Sequence, residues 1–261
     1  MKPTGRPQGA SAGAPHEAPA STALLEARQL AAWYGAAQIL FGVDLQVGRG
    51  EVVALMGRNG AGKSTTLKAL MGMLDKRAGR VDFMGRDISE AEPHRIARLG
   101  LGYVPEDRRI FADLSVRENL AVGRQPARIW PGGAAAPLWT EQALFTLFPN
   151  LAEMPDRPGG RMSGGEQQML TVARTLMGNP FVVLLDEPSE GVAPLIVEQM
   201  AQTILSLKAQ GVSILLSEQN MHFAELVSDR AYVLEKGQIR WSGTMAELAA
   251  DEAVRRAHLS V

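Results

Sequence analysis

The segment GRNGAGKST, residues 57–65, has the residue types needed to bind a phosphate chain. It fits the pattern G-x-x-x-x-G-K-[ST] and lies between the apolar run EVVALM and a helix-like pattern. Glycines let the backbone approach a phosphate closely, and consecutive N–H groups then form an anion-binding nest at the start of the helix. Lys63 supplies a cation for the β- and γ-phosphates, and Ser64 a hydroxyl for Mg²⁺. The predicted nucleotide-binding residues of this phosphate loop are Gly57, Asn59, Gly60, Ala61, Gly62, Lys63, Ser64 and Thr65.

A second stretch, FVVLLDEP at 181–188, places two carboxylates at the end of an apolar run. Such a run is typical of a buried parallel strand, whose carboxyl end lies at the ligand-binding edge of the sheet. Asp186 is predicted to hold Mg²⁺ through water, because Mg²⁺ keeps much of its hydration. Glu187 is predicted to orient a water for attack on the γ-phosphate. A solvated turn would explain an isolated Asp-Glu pair, and the phosphate loop upstream favours the catalytic interpretation.

A third stretch, MSGGEQQ at 162–168, opens a helical pattern. Ser163 and Glu166 have the spacing of a capping box, and the two glycines between them leave backbone N–H groups bare at a positive helix end. One nucleotide cannot be gripped by both loops of one chain if the first already wraps its phosphates. We therefore predict that Ser163, Gly164 and Gly165 bind the γ-phosphate of a nucleotide held by a second copy or a close relative. A well-capped helix without a ligand is the alternative.

Strands and helices alternate around these segments. The apolar runs at 51–56, 181–185 and 212–216 read as buried strands, and 197–208 reads as a helix between two of them. Further strands are predicted at 24–30, 39–47 and 80–84, and a hairpin at 231–241 turns at Lys236-Gly237. This order predicts an α/β fold with a mostly parallel sheet, interrupted by a helical lobe at about 89–177.

Composition narrows the class of protein. The chain has 261 residues, of which 46% are hydrophobic, and its formal net charge is −1. The charge gives no basic footprint for nucleic acid, and the absence of cysteine excludes disulfides and Cys-based zinc modules. No apolar run approaches the ~18 residues of a membrane span. Residues 1–22 are rich in Pro, Gly, Ala and Ser, and we predict a disordered N-terminal tail.

GRNGAGKST, MSGGEQQML and VVLLDEP, in this order, resemble the ATP-binding subunit of an ABC transporter. The resemblance implies a P-loop NTPase with an antiparallel β subdomain and a helical lobe, in one ATP-binding domain at 23–261. It implies ATP and Mg²⁺ as cofactors. It also implies that Tyr34 stacks on adenine, that the loop 105–111 senses Mg²⁺ and touches membrane subunits, and that the loop 189–194 crosses the dimer interface.

The implied partners are a second ATP-binding subunit, identical or not, two transmembrane permease subunits and, indirectly, a periplasmic or extracellular solute-binding protein. No nucleic acid is expected. The implied location is the cytoplasmic face of the inner membrane, where the chain is held through the permease subunits.

Two positions depart from the general family pattern. Glu106 stands where the loop usually offers a glutamine, and Gln219 stands where a histidine usually contacts the γ-phosphate. Gln219 can donate a hydrogen bond to phosphate, but it cannot shuttle a proton near neutral pH. We predict that the chain is an active ATPase. Glu187 is predicted to be the base, and Gln219 is predicted to be a second catalytic residue that donates a hydrogen bond to the γ-phosphate. His222 is interpreted as a surface residue.

VPEDRRIF, SGGEQQML, EPSEGVAPLIVEQ and SEQN resemble one subgroup, the ATPases of hydrophobic and branched-chain amino-acid importers. The same engine would serve urea, amides or aromatic acids, so the solute stays open. A non-transport ABC ATPase is disfavoured because there is one glycine loop and no cysteine. A P-loop kinase or GTPase is disfavoured by MSGGEQQ, and a non-enzymatic binding module by the presence of Lys63, Ser64, Asp186 and Glu187.

Overall fold

The computed structural model of this chain describes residues 23–259, which form two β-sheets with helices around and between them. The predicted disordered tail at 1–22 lies outside the described residues. The strands are β1 Ala23–Tyr34, β2 Ala37–Gly48, β3 Val52–Met56, β4 Lys76–Phe83, β5 Arg86–Asp87, β6 Leu101–Val104, β7 Val182–Asp186, β8 Ser213–Glu218, β9 Arg230–Glu235 and β10 Gln238–Thr244. The helices are α1 Lys63–Leu70, α2 Pro93–Leu99, α3 Val116–Gly123, α4 Glu141–Leu147, α5 Pro149–Ala152, α6 Gly164–Leu176, α7 Pro194–Ala209, α8 Met221–Val227, α9 Met245–Ala250 and α10 Glu252–His258, with a 3₁₀ turn at Gly159–Arg161.

The larger sheet has the strand order β10-β9-β3-β8-β7-β6 and is parallel except at β10. Within it, Met56 of β3 pairs with Glu218 of β8, and Asp186 of β7 pairs with Ser217 of β8. The carboxyl ends of these three strands therefore meet at one edge of the sheet, where ligands bind in open α/β folds. The loops that follow β3, β7 and β8 emerge there side by side.

Two hydrophobic cores lie on opposite faces of this sheet. Val52, Ala54 and Met56 of β3 face one core, whereas Val53 and Leu55 face the other. The first core is completed by α3 to α9 and the second by the antiparallel sheet and α1. Because both faces are covered, these strands carry consecutive apolar residues, such as Val182–Leu185 in β7 and Ile214–Leu216 in β8, which explains the continuous runs in the sequence.

The smaller sheet is antiparallel, with the order β2-β1-β4-β5. It packs beside the phosphate loop: the Gly237 N–H donates to the Ala61 carbonyl at 2.9 Å, and the Phe41 N–H donates to the Gly237 carbonyl at 2.9 Å. The turn between β9 and β10 thus connects this sheet to the phosphate loop. The predicted antiparallel subdomain is confirmed.

The stretch 89–177, predicted to be a helix-rich lobe, also contains a strand that was not predicted. Leu101–Val104 forms β6, which pairs with β7 as an edge strand of the parallel sheet. The helices of the same stretch share a core with that sheet and are not separately packed. The boundaries of the helical lobe and of the domain at 23–261 stay predictions. Among residues 23–259, no helix is both long and apolar enough to cross a membrane.

Candidate active site

The phosphate loop follows the fully buried strand β3 and leads into α1, as predicted. Gly57 lies so close to the hairpin that a Cβ there would be 2.5 Å from the Leu234 carbonyl oxygen, which excludes any larger residue. Gly62, the residue before α1, has φ +109°, a conformation that side chains disfavour. Asn59 and Gly60 are exposed, whereas Ala61 and Thr65 are buried and Ser64 is partly buried. The tip of the loop, Asn59 and Gly60, is therefore accessible to a ligand, while Gly57 and Ala61 on either side of it are buried.

Lys63 joins the phosphate loop to the end of β7. Its Nζ donates to the carbonyl oxygens of Gly57 at 2.8 Å and Arg58 at 3.2 Å, and lies 2.9 Å from Oε1 of Glu187. Both charged side chains of this ion pair are more than nine-tenths buried. The structure thus brings together the cation predicted to bind the β- and γ-phosphates and the carboxylate predicted to orient the attacking water.

Glu187 lies in a strained turn directly after β7, with φ +46°. Its N–H donates to both the carbonyl oxygen (3.2 Å) and the Oγ (3.0 Å) of Ser217, and this holds the turn. Burial alone would raise the pKa of the Glu187 carboxyl, but the hydrogen bond with Glu190 and the contact with Lys63 outweigh burial and lower that pKa. A lowered pKa keeps Glu187 ionised at neutral pH, as a base must be.

Asp186 is almost fully buried, and both of its carboxylate oxygens accept hydroxyl hydrogen bonds. Tyr103 Oη donates to Oδ2 at 3.0 Å, and Ser217 Oγ donates to Oδ1 at 2.7 Å. Burial, followed by the charge of Asp186, raises the pKa of Tyr103, so the phenol stays a donor.

The donor set around Asp186 suits Mg²⁺. Carboxylate and hydroxyl oxygens are hard ligands, and each carboxylate oxygen keeps a lone pair after accepting one hydrogen bond. Asp186 would hold the ion through water, as predicted, and Ser64 at the start of α1 would supply the hydroxyl. When bound, Mg²⁺ neutralises the charge that develops on the phosphates.

Two neighbouring clefts open at this edge of the sheet. One, of about 410 Å³, is lined by residues that include Asn59, Glu187, Glu218 and Gln219. The other, of about 260 Å³, is lined by residues that include Glu106 and Asp186. Neither is lined by Ser163, Gly164 or Gly165. One chain therefore gathers the phosphate-loop, base and Gln219 residues, and places the third predicted segment elsewhere.

That third segment begins α6 with the predicted capping box. The Glu166 N–H donates to Ser163 Oγ at 3.3 Å, and the Ser163 N–H donates to Glu166 Oε2 at 2.6 Å. Its glycines are packed closely: a Cβ on Gly164 would lie 2.8 Å from an Arg108 guanidinium nitrogen, and one on Gly165 2.6 Å from the Ile196 side chain. A side chain on Gly165 would therefore displace Ile196, whereas the flexible Arg108 side chain could move away from one on Gly164.

The remaining predicted residues lie on surfaces. Tyr34 ends β1 with 48% of its surface exposed, and Glu106 is exposed in the loop after β6. An exposed ring is available for stacking on a base, but no described contact places Tyr34 against the phosphate loop. Its adenine role and the Mg²⁺-sensing role of Glu106 stay predictions.

Three residues of this site were not predicted: Tyr103, Ser217 and Glu218. Tyr103 and Asp186 are 83 positions apart, and only the pairing of β6 with β7 brings them together. Ser217 and Glu218 end an apolar run, which is the same signal that identified Asp186 and Glu187. Polar residues at the end of an apolar run therefore mark the active-site end of β8 as well as that of β7.

Comparison with known proteins agrees with this geometry. Residues 40–190 match the ABC transporter family. The chain is 40% identical over 236 residues to the high-affinity branched-chain amino acid transport ATP-binding protein BraG of Pseudomonas aeruginosa, covering 90% of this chain and 99% of that protein. It is 35% identical to the probable branched-chain amino acid transport ATP-binding protein LivF of Archaeoglobus fulgidus, covering 88% and 95%. It is also 35% identical to the lipopolysaccharide export system ATP-binding protein LptB of Escherichia coli K12, covering 91% and 97%.

A solved structure shares the fold. The ADP conformation of an ATP-binding cassette of an ABC transporter aligns with a TM-score of 0.73 and 29% identity, covering 90% of this chain and 98% of that one. ATP and Mg²⁺ are the cofactors of an ABC ATPase domain. We conclude that the chain belongs to the ABC transporter family and is an ATP-binding subunit with ATPase activity.

Proposed function

We propose that this chain is the ATP-hydrolysing subunit of an importer for branched-chain or other hydrophobic amino acids. The observation that carries the proposal is the 40% identity to BraG over nearly the full length of both chains. The sequence stretches VPEDRRIF, EPSEGVAPLIVEQ and SEQN support the same subgroup.

Hydrolysis on this proposal needs two ATP-binding subunits facing head-to-tail. The phosphate loop and Glu187 of one subunit hold the nucleotide, and Ser163, Gly164 and Gly165 of the other close over its γ-phosphate. The separation of these groups within one chain supports this arrangement. Closure then depends on the γ-phosphate, so its hydrolysis opens the pair and drives the permease subunits.

Within each site, Lys63 is the group shared between substrate and base. Its Nζ lies 2.9 Å from Glu187, and phosphate oxygens would compete for it. A Glu187 carboxylate that shares Lys63 with the γ-phosphate is positioned to orient and deprotonate the attacking water. Gln219, which lines the same cleft, donates a hydrogen bond to the γ-phosphate in this scheme.

The partners on this proposal are a second ATP-binding subunit, two permease subunits and a solute-binding protein outside the membrane. The relatives are transport ATP-binding proteins, and docking on permease subunits at the cytoplasmic membrane face would follow. The exposed loop with Glu106 is the proposed contact with them.

A second candidate function is lipopolysaccharide export, since identity to LptB reaches 35% over a similar span. Either function would use the same ATPase site of this chain, because on both proposals the solute is bound by the permease subunits and not by this chain. They differ in the partner proteins.

The test is to purify the full chain from its own host with its membrane partners and reconstitute the complex in vesicles. We expect ATP-dependent uptake of leucine, isoleucine or valine in the presence of the solute-binding protein, abolished by Lys63→Ala. Uptake of urea, amides or aromatic acids, without uptake of branched-chain amino acids, would show that the proposed solute is wrong and that the chain serves an importer for another solute. Co-purification with a lipopolysaccharide-binding permease, without amino-acid uptake, would refute the importer proposal.

A further inference from the structure

Glu218 is a buried carboxylate at the carboxyl end of β8 that accepts hydrogen bonds from two loops. The side chain is about one-fiftieth exposed. Oε1 accepts from the Ser189 N–H at 3.1 Å, in the loop after β7. Oε2 accepts from the N–H groups of Gln219 at 3.1 Å and Asn220 at 3.2 Å, in the loop after β8.

The main chain of the same residue contacts a third loop. The Glu218 carbonyl oxygen accepts from the Gly57 N–H at 3.3 Å, and Glu218 pairs with Met56 across the β3–β8 ladder. One residue therefore links the phosphate loop, the loop after β7 and the loop after β8.

The chemistry of this junction requires an acceptor without donors. Three N–H groups converge on the carboxylate, and an amide of the same shape would present an NH₂ to at least one of them. Burial raises the pKa of the Glu218 carboxyl although hydrogen bonds with the Ser189 side chain and with the three N–H groups oppose the rise, so burial of this charge is costly. A charge buried at this cost, with hydrogen bonds to two active-site loops, points to a role in positioning those loops.

We propose that Glu218 is a positioning residue for ATP hydrolysis, whose carboxylate fixes Gln219 and the loop after β7 relative to the phosphate loop. Three backbone N–H groups hold its oxygens, which suits a group that acts through its neighbours, and Glu187 keeps the proposed role of base. This inference rests on the proposed ATPase site.

The test compares Glu218→Gln with Glu225→Gln, the same chemical change at an exposed glutamate of the next helix. The full chain is assayed for kcat and KM with MgATP, for affinity and number of sites with a fluorescent ATP analogue, and for thermal unfolding. We expect Glu218→Gln to lower kcat by about tenfold or more while analogue affinity changes by less than about threefold. Glu225→Gln should match the wild type.

A double-mutant cycle with Gln219→Ala separates positioning from general structural damage. If Glu218 acts through Gln219, then Glu218→Gln lowers kcat by a smaller factor in the Gln219→Ala background than in the wild type. An unchanged kcat, equal factors in both backgrounds, or a loss of binding sites in proportion to kcat would overturn the inference. A wild-type chain that binds but never hydrolyses MgATP would overturn the proposed function as well, whereas an active wild type with an equally active Glu218→Gln refutes the inference alone.

Discussion

At the residue scale, the account depends on one carboxylate that stays charged and on one amide that replaces a histidine. Glu187 is the ionised partner of Lys63, and the cleft beside it is also lined by Gln219. An amide cannot take a proton from water near neutral pH, so the proposal assigns the base role to Glu187 and not to Gln219.

The two assignments make different kinetic predictions. Glu187→Gln removes the base and should lower kcat by about a hundredfold or more, with little change in KM. Gln219→Ala removes one hydrogen bond to phosphate and should lower kcat less. Steady-state ATPase rates of both variants, assembled with their partners, check this. Abolition of turnover by Gln219→Ala with a mild effect of Glu187→Gln would reverse the roles.

The carboxyl group of Glu190 should gain or lose its proton near neutral pH, and this makes the stability of the fold depend on pH. Its hydrogen bond with Glu187, burial and the charges of Glu187 and Glu106 raise the pKa of Glu190 to about 7, although Lys63 opposes the rise. Between about pH 4.5 and pH 7 the folded chain holds a proton that the unfolded chain has lost, so the free energy of unfolding falls as pH rises through this window. Because Glu190 is exposed, solvent screening keeps the change small.

We predict that Glu190→Gln removes this part of the pH dependence. As pH rises from about 5 to about 8, the Tm of the wild type should fall relative to the Tm of the variant. Thermal unfolding across that range measures it, with Glu198→Gln on α7 as a matched exposed control. Parallel curves for all three proteins would show that Glu190 does not titrate in this way.

At the element scale, periodicity and flanking residues predict most of the fold. Continuous apolar runs located β3, β7 and β8, and the capping box of Ser163 and Glu166 located the start of α6. The sequence analysis missed β6 because LGYV is short and includes a glycine, and its partner strand lies far along the chain. Helix α7 begins at Pro194, before the predicted 197, because proline is well suited to a first helical position.

The capping boxes at the starts of α3 and α6, formed by Ser115 with Glu118 and by Ser163 with Glu166, allow helix stability and ligand binding to be tested separately. Ser115→Ala and Ser163→Ala each remove a side-chain acceptor at a helix start, so each should lower the free energy of unfolding by about 1 kcal/mol. Only Ser163→Ala should also lower ATPase turnover strongly, since only α6 is proposed to meet a γ-phosphate. Denaturant unfolding and ATPase assays on both variants test this. An equal loss of activity in Ser115→Ala and Ser163→Ala would show that Ser163 acts only as a helix cap and does not bind nucleotide.

At the scale of the whole molecule, the sequence predicts which groups do chemistry but not which neighbours hold them. Tyr103, Ser217 and Glu218 reach Asp186 and the active-site loops through the pairing of β6, β7 and β8, which are far apart in the sequence, and a local pattern does not say which distant strands become neighbours. The structure also places α6 outside the two clefts of its own chain. A complete site on this account is a property of two chains.

Mixing two inactive variants tests this claim most directly. Lys63→Ala disables the phosphate loop and Ser163→Ala disables the α6 site, so each variant alone should hydrolyse ATP slowly while the wild type alone is active. In a mixed dimer, one site combines the intact phosphate loop of the Ser163→Ala chain with the intact α6 of the Lys63→Ala chain. We predict that mixing restores turnover toward about a quarter of the wild-type rate, because half the dimers are mixed and each has one intact site. A mixture that stays as inactive as its components would show that both segments serve the nucleotide of their own chain.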